Sequence, residues 1–113
     1  MNWIELNALD QLEEIKAESA AKPVLIFKHS FRCSISKATL ARLERHWDTQ
    51  EMAHVKAYFL DLLSHRNISD QIANHFSVEH ESPQIMLIHN GKSILHLSHF
   101  DITYDQIKAA LKN

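Results

Sequence analysis

Residues 24–37 read VLIFKHSFRCSISK, and this stretch predicts a buried strand that leads directly into a helix. Its first part, Val24 to Lys28, is short, β-branched and aromatic, which is typical of a strand buried on both faces of a partly parallel sheet. Beyond it, one set of residues recurs at steps of three or four: Cys33, Ser36, Leu40, Leu43 and Trp47. This narrow stripe predicts a helix whose core-facing side holds both Cys33 and Ser36. We therefore expect Val24 to Lys28 to be the central strand.

The segment before this strand predicts a further helix. Leu9, Leu12 and Ile15 lie at helical spacing with acidic residues between them. An amphipathic helix is therefore expected from Asn7 to about Ala21, and Pro23 marks its end.

The segment after the predicted helix that holds Cys33 and Ser36 repeats the order of strand and helix. Val55 to Leu63 predicts a second strand, and Asn67 to Phe76 carries apolar residues at helical spacing. Asn67 or Ser69 is the expected cap of this helix, because both side chains can accept from unpaired amides at a helix start. The result is a βαβα unit.

The C-terminal part predicts an antiparallel hairpin and a last helix. The strand-like runs Ile85 to His89 and Ser93 to Phe100 are joined around Asn90-Gly91, which is a strong hairpin signal. Thr103-x-x-Gln106 fits a capping box before the final apolar face. The predicted order is therefore βαβα followed by ββα.

Length and composition favour one globular domain over residues 1–113. The chain has 113 residues, of which 45% are hydrophobic, and it lacks a linker rich in proline or glycine. Its net charge of -2, without a basic helix or a glycine-rich phosphate loop, argues against nucleic acid as a partner. The N-terminus lacks the pattern of a signal peptide, and no apolar run is long enough to span a membrane. We expect a cytoplasmic monomer that does not bind membranes.

Cys33 is the only cysteine, so no internal disulfide can form, which suits a reducing compartment. Its predicted place at the first turn of a helix favours the thiolate, because unpaired amides and the positive end of the helix dipole face the sulfur. No carboxylate occurs between Val24 and Leu43, whereas Lys28, His29 and Arg32 lie close upstream. A reactive thiolate is therefore favoured over a small buried apolar side chain.

Ser36 stands where a dithiol redox protein would carry its second cysteine, so the predicted chemistry is monothiol. Its hydroxyl has two interpretations that do not exclude each other. It either bonds backbone donors and helps to start the helix, or donates a hydrogen bond to the Cys33 thiolate.

A resemblance to a known family rests on two motifs. Phe27-Lys28-His29-Ser30-x-x-Cys33-x-Ile35-Ser36 and Glu81-Ser82-Pro83-Gln84 together resemble the YtxJ family of monothiol bacilliredoxins, and the similarity covers nearly the whole chain. It implies a thioredoxin-like α/β fold with a mixed four-stranded sheet flanked by helices, in the order α-βαβα-ββα with the extra helix at the N-terminus.

The resemblance also implies an activity. Members of this family remove bacillithiol, a cysteine joined to a glucosaminyl malate, from mixed disulfides on client proteins. Cys33 would be the nucleophile and would form the Cys33–bacillithiol intermediate, which a second bacillithiol or a reductase resets. Bacillithiol is then a co-substrate, no cofactor is bound, and the partners are bacillithiolated proteins.

Further site residues follow from the same resemblance. Pro83 is expected to follow a cis peptide bond beside the cysteine and to leave the Ser82 backbone free to pair with an extended substrate. Ser34 replaces the proline of the family's Cys-Pro-Ile-Ser motif and adds an N–H group near the sulfur.

The charged neighbours of Cys33 have two interpretations each. Lys28, Arg32 and Lys37 are expected to bracket the sulfur, where they either attract the malate carboxylates or simply solvate the surface. His29 either tunes the thiolate or is merely hydrogen-bonded at a strand end.

Two other functions remain open from the sequence. The chain could be a redox-inert thioredoxin-like module that binds a peptide in the Ser82-Pro83 groove. It could also carry an iron–sulfur cluster, although the Gly-Phe that follows the cysteine in such glutaredoxins is Ser34-Ile35 here. The nine histidines do not predict a metal site, because their spacings do not converge on three or four ligands.

Overall fold

The central strand of the fold is the one that the sequence predicts. The computed structural model describes residues 1–112 as a mixed five-stranded sheet with helices on both faces. The strands are β1 (Trp3–Glu5), β2 (Val24–His29), β3 (Lys56–Asp61), β4 (Gln84–His89) and β5 (Lys92–Ser98). The helices are α1 (Asp10–Glu18), α2 (Ser34–His46), α3 (Arg66–Phe76) and α4 (Tyr104–Leu111), with a 3-10 turn at His99–Asp101.

The sheet has the order β1-β3-β2-β4-β5. β1 and β2 run parallel to β3, whereas β4 runs antiparallel to both β2 and β5. In the register of the central pairs, His29 lies opposite Asp61 of β3 and Lys28 lies opposite Gln84 of β4. The thioredoxin-like α/β class is confirmed, with β2 at the centre.

The predicted count of four strands was wrong, because β1 adds a fifth. β1 has three residues and pairs at the edge of the sheet, where Trp3 lies opposite Ala57. Three residues are too few to show the alternation by which a strand is recognised. The pairing with β3 specifies this strand.

The two faces of the sheet form two apolar cores. Val24 and Ile26 of β2 contribute to the core under α1 and α3, and Leu25 and Phe27 contribute to the core under α2 and α4. All four side chains are completely buried, which stabilises the fold by about 1.5–3 kcal/mol for each side chain. β2 is therefore buried on both faces, as its continuous apolar run predicts.

Several predicted boundaries extend too far. α1 begins at Asp10 because the backbone amides of Asn7 and Ala8 bond to the Gln11 side chain instead of entering the helix. The second predicted strand, Val55 to Leu63, shortens to β3. The run Ser93 to Phe100 ends at Ser98, because His99 has a φ of 55°.

The predicted caps have mixed outcomes. The N-cap of α3 is His65 rather than Asn67 or Ser69, and the Ser69 hydroxyl lies instead 3.2 Å from His80 Nδ1. Thr103 caps α4 as predicted, since its Oγ1 accepts from the Gln106 amide at 3.3 Å. The predicted hairpin at Asn90-Gly91 is also confirmed, with φ values of 53° and 74°.

Each helix in residues 1–112 is too short or too polar to cross a membrane.

Candidate active site

Cys33 lies where the central strand passes into α2. After β2 ends at His29, a turn brings the Cys33 amide to within 3.1 Å of the Ser30 carbonyl. Cys33 is the N-cap residue, and its carbonyl accepts the first hydrogen bond of the helix from the Lys37 amide at 3.1 Å. Its thiol is free and half-buried. The predicted position at the mouth of a helix is therefore confirmed.

The turn that carries the sulfur combines a helix N-terminus with exposed basic side chains. A helix N-terminus exposes unpaired amides and carries a partial positive charge, and the first turn of α2 contains no acidic residue. Arg32, Ser34 and Lys37 are all exposed around this turn. A partly exposed thiol in such a setting can serve as a nucleophile.

Ser36 and His29 form a buried pair beneath the turn. The Ser36 hydroxyl oxygen accepts from the Ser30 amide at 3.1 Å and lies 2.7 Å from His29 Nδ1. Both side chains are almost completely buried. The arrangement that satisfies these groups has the amide donating to Ser36 and the Ser36 hydroxyl donating to His29.

The charge state of His29 agrees with this assignment. Burial lowers the pKa of His29, and the nearby Lys37 lowers it further, whereas Asp61 and Glu44 act in the opposite direction. The neutral imidazole is favoured, and it can accept from Ser36. The bond from the Ser30 amide supports the backbone-bonding interpretation of Ser36, and the 2.7 Å contact with His29 Nδ1 gives its hydroxyl a partner other than Cys33.

The predicted location of Lys28 beside the sulfur was wrong. Successive side chains of a strand point to opposite faces of the sheet, so Lys28 and His29 diverge. Lys28 is completely buried on the face under α3, where its Nζ lies 3.3 Å from His80 Nδ1 and 3.4 Å from the Ser69 carbonyl. It does not belong to the exposed charge around Cys33.

Ser82 and Pro83 reach the same edge of the sheet as the Cys33 turn. The Ser82–Pro83 peptide bond is cis, as the resemblance implies. β4 begins at Gln84, opposite Lys28, so the two residues before it lie where β2 ends. The Pro83 carbonyl accepts from the His99 amide at 3.0 Å. Ser82 is half-buried, and its hydroxyl has no hydrogen-bond partner in residues 1–112.

Phe31 is a feature of the site that the sequence reasoning missed. This aromatic residue lies two positions before Cys33 and is 51% exposed. Its ring contacts His29 edge-on at a centroid distance of 4.5 Å and lies 6.0 Å from Phe59. The signal was an aromatic residue in a short loop next to the only thiol.

His80 was missed as a partner of Lys28, because the two residues are 52 positions apart and no local pattern connects them.

Within residues 1–112, no three His, Cys, Asp or Glu side chains are grouped so that they could hold a metal ion.

Comparison with known proteins assigns this site to a family. The family model described as monothiol bacilliredoxin BrxC matches residues 4–107. The chain belongs to this family. The resemblance carried by the two motifs is thereby confirmed, and family membership together with the thioredoxin fold supports a thiol oxidoreductase.

Solved structures agree with the bacilliredoxin assignment at the level of the fold. A candidate oxidoreductase with a thioredoxin fold is 30% identical, with a TM-score of 0.80 over 96% of this chain and 92% of its own. The thioredoxin of Malassezia sympodialis is 21% identical, with a TM-score of 0.74 over 98% of this chain and 89% of its own. Fasciola hepatica thioredoxin is 15% identical, with a TM-score of 0.71 over 96% of each chain.

Proposed function

We propose that this chain is a monothiol oxidoreductase that removes bacillithiol from mixed disulfides on proteins. One observation carries the proposal. The only cysteine is a half-buried free thiol at the N-cap of α2, in a chain that belongs to the monothiol bacilliredoxin family.

The first step transfers bacillithiol to the enzyme. The Cys33 thiolate attacks the bacillithiol sulfur of the mixed disulfide, and a Cys33–bacillithiol bond forms. The bond between bacillithiol and the client sulfur breaks, and the client leaves as a thiolate that takes a proton from water. The client is reduced, and Cys33 is oxidised to the mixed disulfide.

The second step needs an external thiol. Ser36 cannot form a disulfide, so the intermediate persists until another thiolate attacks its bacillithiol sulfur. If this is a second bacillithiol, bacillithiol disulfide forms and the Cys33 thiolate is released. The chain therefore returns to its starting state without a second cysteine of its own.

The residues around Cys33 supply binding functions in this proposal. The exposed cations Arg32 and Lys37 attract the malate carboxylates of bacillithiol. The Ser82 backbone pairs with an extended part of the client, and the Ser34 amide lies in the first turn of the helix that faces the sulfur.

The test is the intact mass of the chain after exposure to a bacillithiolated model protein. We expect the unaltered chain to gain one bacillithiol while the model protein loses it, and Cys33→Ala to gain none. No adduct on the unaltered chain, or an equal adduct on Cys33→Ala, would contradict the proposal.

Alkylation separates the enzyme from an inert binding module. A functional thiolate reacts with iodoacetamide at neutral pH faster than an ordinary thiol of an unfolded peptide does. If Cys33 reacts no faster than that peptide, the binding module is the better description.

A further inference from the structure

The ammonium group of Lys28 is enclosed without a carboxylate partner. Lys28 is completely buried, and no ion pair within residues 1–112 includes it. Buried lysines are rare unless they are paired, because removal of the charge from water is costly. Burial lowers the pKa of Lys28 to about 8, with Asp70 of α3 acting in the opposite direction. Because the buried charge of Lys28 costs stability, its contacts indicate what the residue does.

Those contacts lead to the residues before β4. The Lys28 Nζ donates to the Ser69 carbonyl at 3.4 Å and lies 3.3 Å from His80 Nδ1. His80 Nδ1 also lies 3.2 Å from the Ser69 hydroxyl. His80 is therefore held between β2 and α3. It is separated from Ser82 by a single residue.

A second contact holds the residues before β4, and it comes from the residue opposite Lys28 in the sheet. Gln84 is the register partner of Lys28, and its Nε2 donates to the Glu79 carbonyl at 3.0 Å. Residues 79–83, here called the proline segment, are thus fastened at Glu79 by Gln84 and at His80 by Lys28. Ser82 is the residue of this segment that lies next to the turn that carries Cys33.

The surroundings of His80 favour its neutral form, which can accept a hydrogen bond. Burial is the main cause that lowers the pKa of His80, and Lys28 and Arg66 lower it further, whereas Asp70 and Glu81 raise it. A neutral His80 can accept from a charged Lys28, and the two groups are complementary near neutral pH.

We propose that Lys28 is a positioning residue that, through His80, fixes the proline segment and thereby sets how tightly the extended part of a client docks beside Cys33. Lys28 lies on the face of the sheet opposite to His29 and Ser36, so the reactivity of the sulfur itself is independent of it. This inference rests on the proposed function for the docking of the client at Ser82.

The test compares two bacillithiol mixed disulfides that differ only in the leaving thiol. One contains an extended peptide of about ten residues with a single cysteine. The other contains 2-mercaptoethanol, which has no backbone to dock. The variants are Lys28→Met, and Lys92→Met on the exposed edge strand as the matched control.

We expect Lys28→Met to raise KM for the peptide disulfide about tenfold, the size expected for the loss of a charged hydrogen bond, with kcat unchanged. Its kcat/KM for the small disulfide should stay within about twofold of the unaltered chain, as should every value for Lys92→Met. Equal losses on both disulfides, or no loss on either, would overturn the inference.

A second pair of variants keeps the test decisive if Lys28→Met does not fold. His80→Asn retains an acceptor near the position of Nδ1, whereas His80→Leu has none. His80→Leu should raise KM for the peptide disulfide, and His80→Asn should restore much of the loss. If the two variants behave alike, the Lys28 contact does not position the segment.

Hydrogen exchange separates failure of this inference from failure of the proposed function. Loss of the Lys28 contact should speed amide exchange in residues 79–83 about tenfold, with the amides of α2 unaffected. If the unaltered chain reacts with neither disulfide, the proposed function fails, and the exchange rates still decide whether Lys28 holds the segment. Unchanged exchange in both Lys28→Met and His80→Leu would overturn the inference by itself.

Discussion

Ser36 and Cys33 lie one helical turn apart, yet their side chains have different tasks. The Ser36 hydroxyl is occupied by the Ser30 amide and by His29, whereas Cys33 is half-buried and free. The buried contacts of Ser36 with the Ser30 amide and His29 fix the turn between β2 and α2. Because residue 36 is a serine, the sulfur has no internal resolving group. The monothiol character therefore follows from one side chain.

Ser36→Cys should change how the mixed disulfide is resolved. The thiolate introduced at position 36 is expected to attack Cys33 in its disulfide with bacillithiol, form an internal disulfide and release bacillithiol. Intact mass would then show a loss of about two mass units from the reduced protein, where the unaltered chain keeps the adduct. Ser34→Cys is the matched control, because it also has two thiols but places the second next to Cys33 in the chain. Persistence of the adduct in Ser36→Cys would contradict the geometry.

At the scale of elements, the predicted order held where the periodicity was long and failed where pairing decided the outcome. The six residues of β2 and the stripe from Cys33 to Leu43 carry their own signal, so both were placed correctly. β1 has no such signal, since it exists only through its pairing with β3. The predicted cap of α3 was wrong for a similar reason, because the Ser69 hydroxyl contacts His80, which lies beyond the end of the helix.

The same distinction, between local sequence signals and contacts formed only in the fold, applies to the candidate site. Cys33 and Ser36 could be located from local spacing and from the resemblance, and the edge that Ser82 shares with them follows from strand order. Lys28 was misplaced because proximity in sequence was taken as proximity to the sulfur. The alternation of side chains along β2 places it on the other face, where only the packing of α3 reveals its partner His80.

Arg42 connects two elements of the site. Its Nη2 donates to the carbonyls of Phe100 at 2.8 Å and Ile102 at 2.6 Å, and so ties α2 to the 3-10 turn. His99 of that turn in turn donates to the Pro83 carbonyl. The helix that carries Cys33 and the segment that ends at Pro83 are thus linked through one guanidinium group.

Arg42→Met should lower the free energy of unfolding by about 1–2 kcal/mol, because two charged hydrogen bonds are lost. This loss is smaller than the sum expected for two charged hydrogen bonds, because the buried Arg42 Nε has no partner in residues 1–112 and its removal is favourable. Urea unfolding measures the change. Arg45→Met, an exposed position on the same helix, serves as the control and should stay within about 0.5 kcal/mol. Equal effects of the two variants would show that the link contributes nothing to stability.

At the scale of the whole molecule, the sheet separates the chemistry of its two faces. The face under α2 carries the His29–Ser36 pair below Cys33, and the face under α3 encloses Lys28 and His80. Each face has its own apolar core, and β2 contributes to both. A change of charge on the α3 face therefore acts on the stability of the whole domain through β2, without contact with the sulfur.

This separation predicts how stability depends on pH. The pKa of Lys28 is about 8 in the folded chain and 10.5 in its ordinary state, so between these values the unfolded chain binds more protons than the folded one. The contribution of Lys28 to stability therefore rises with pH from about 8 to about 10.5, and the cost of its buried charge is fully present below pH 8. The shift corresponds to at most about 3 kcal/mol.

Lys28→Met removes this titration, so the free energy of unfolding of the unaltered chain should rise relative to the variant as pH increases from 7 to 10.5. Urea unfolding of both proteins at a series of pH values measures the difference, in which the other titrating groups cancel. A difference that stays constant through this window would mean that Lys28 titrates as an ordinary exposed lysine. Its enclosure between β2, α3 and His80 would then not hold in solution.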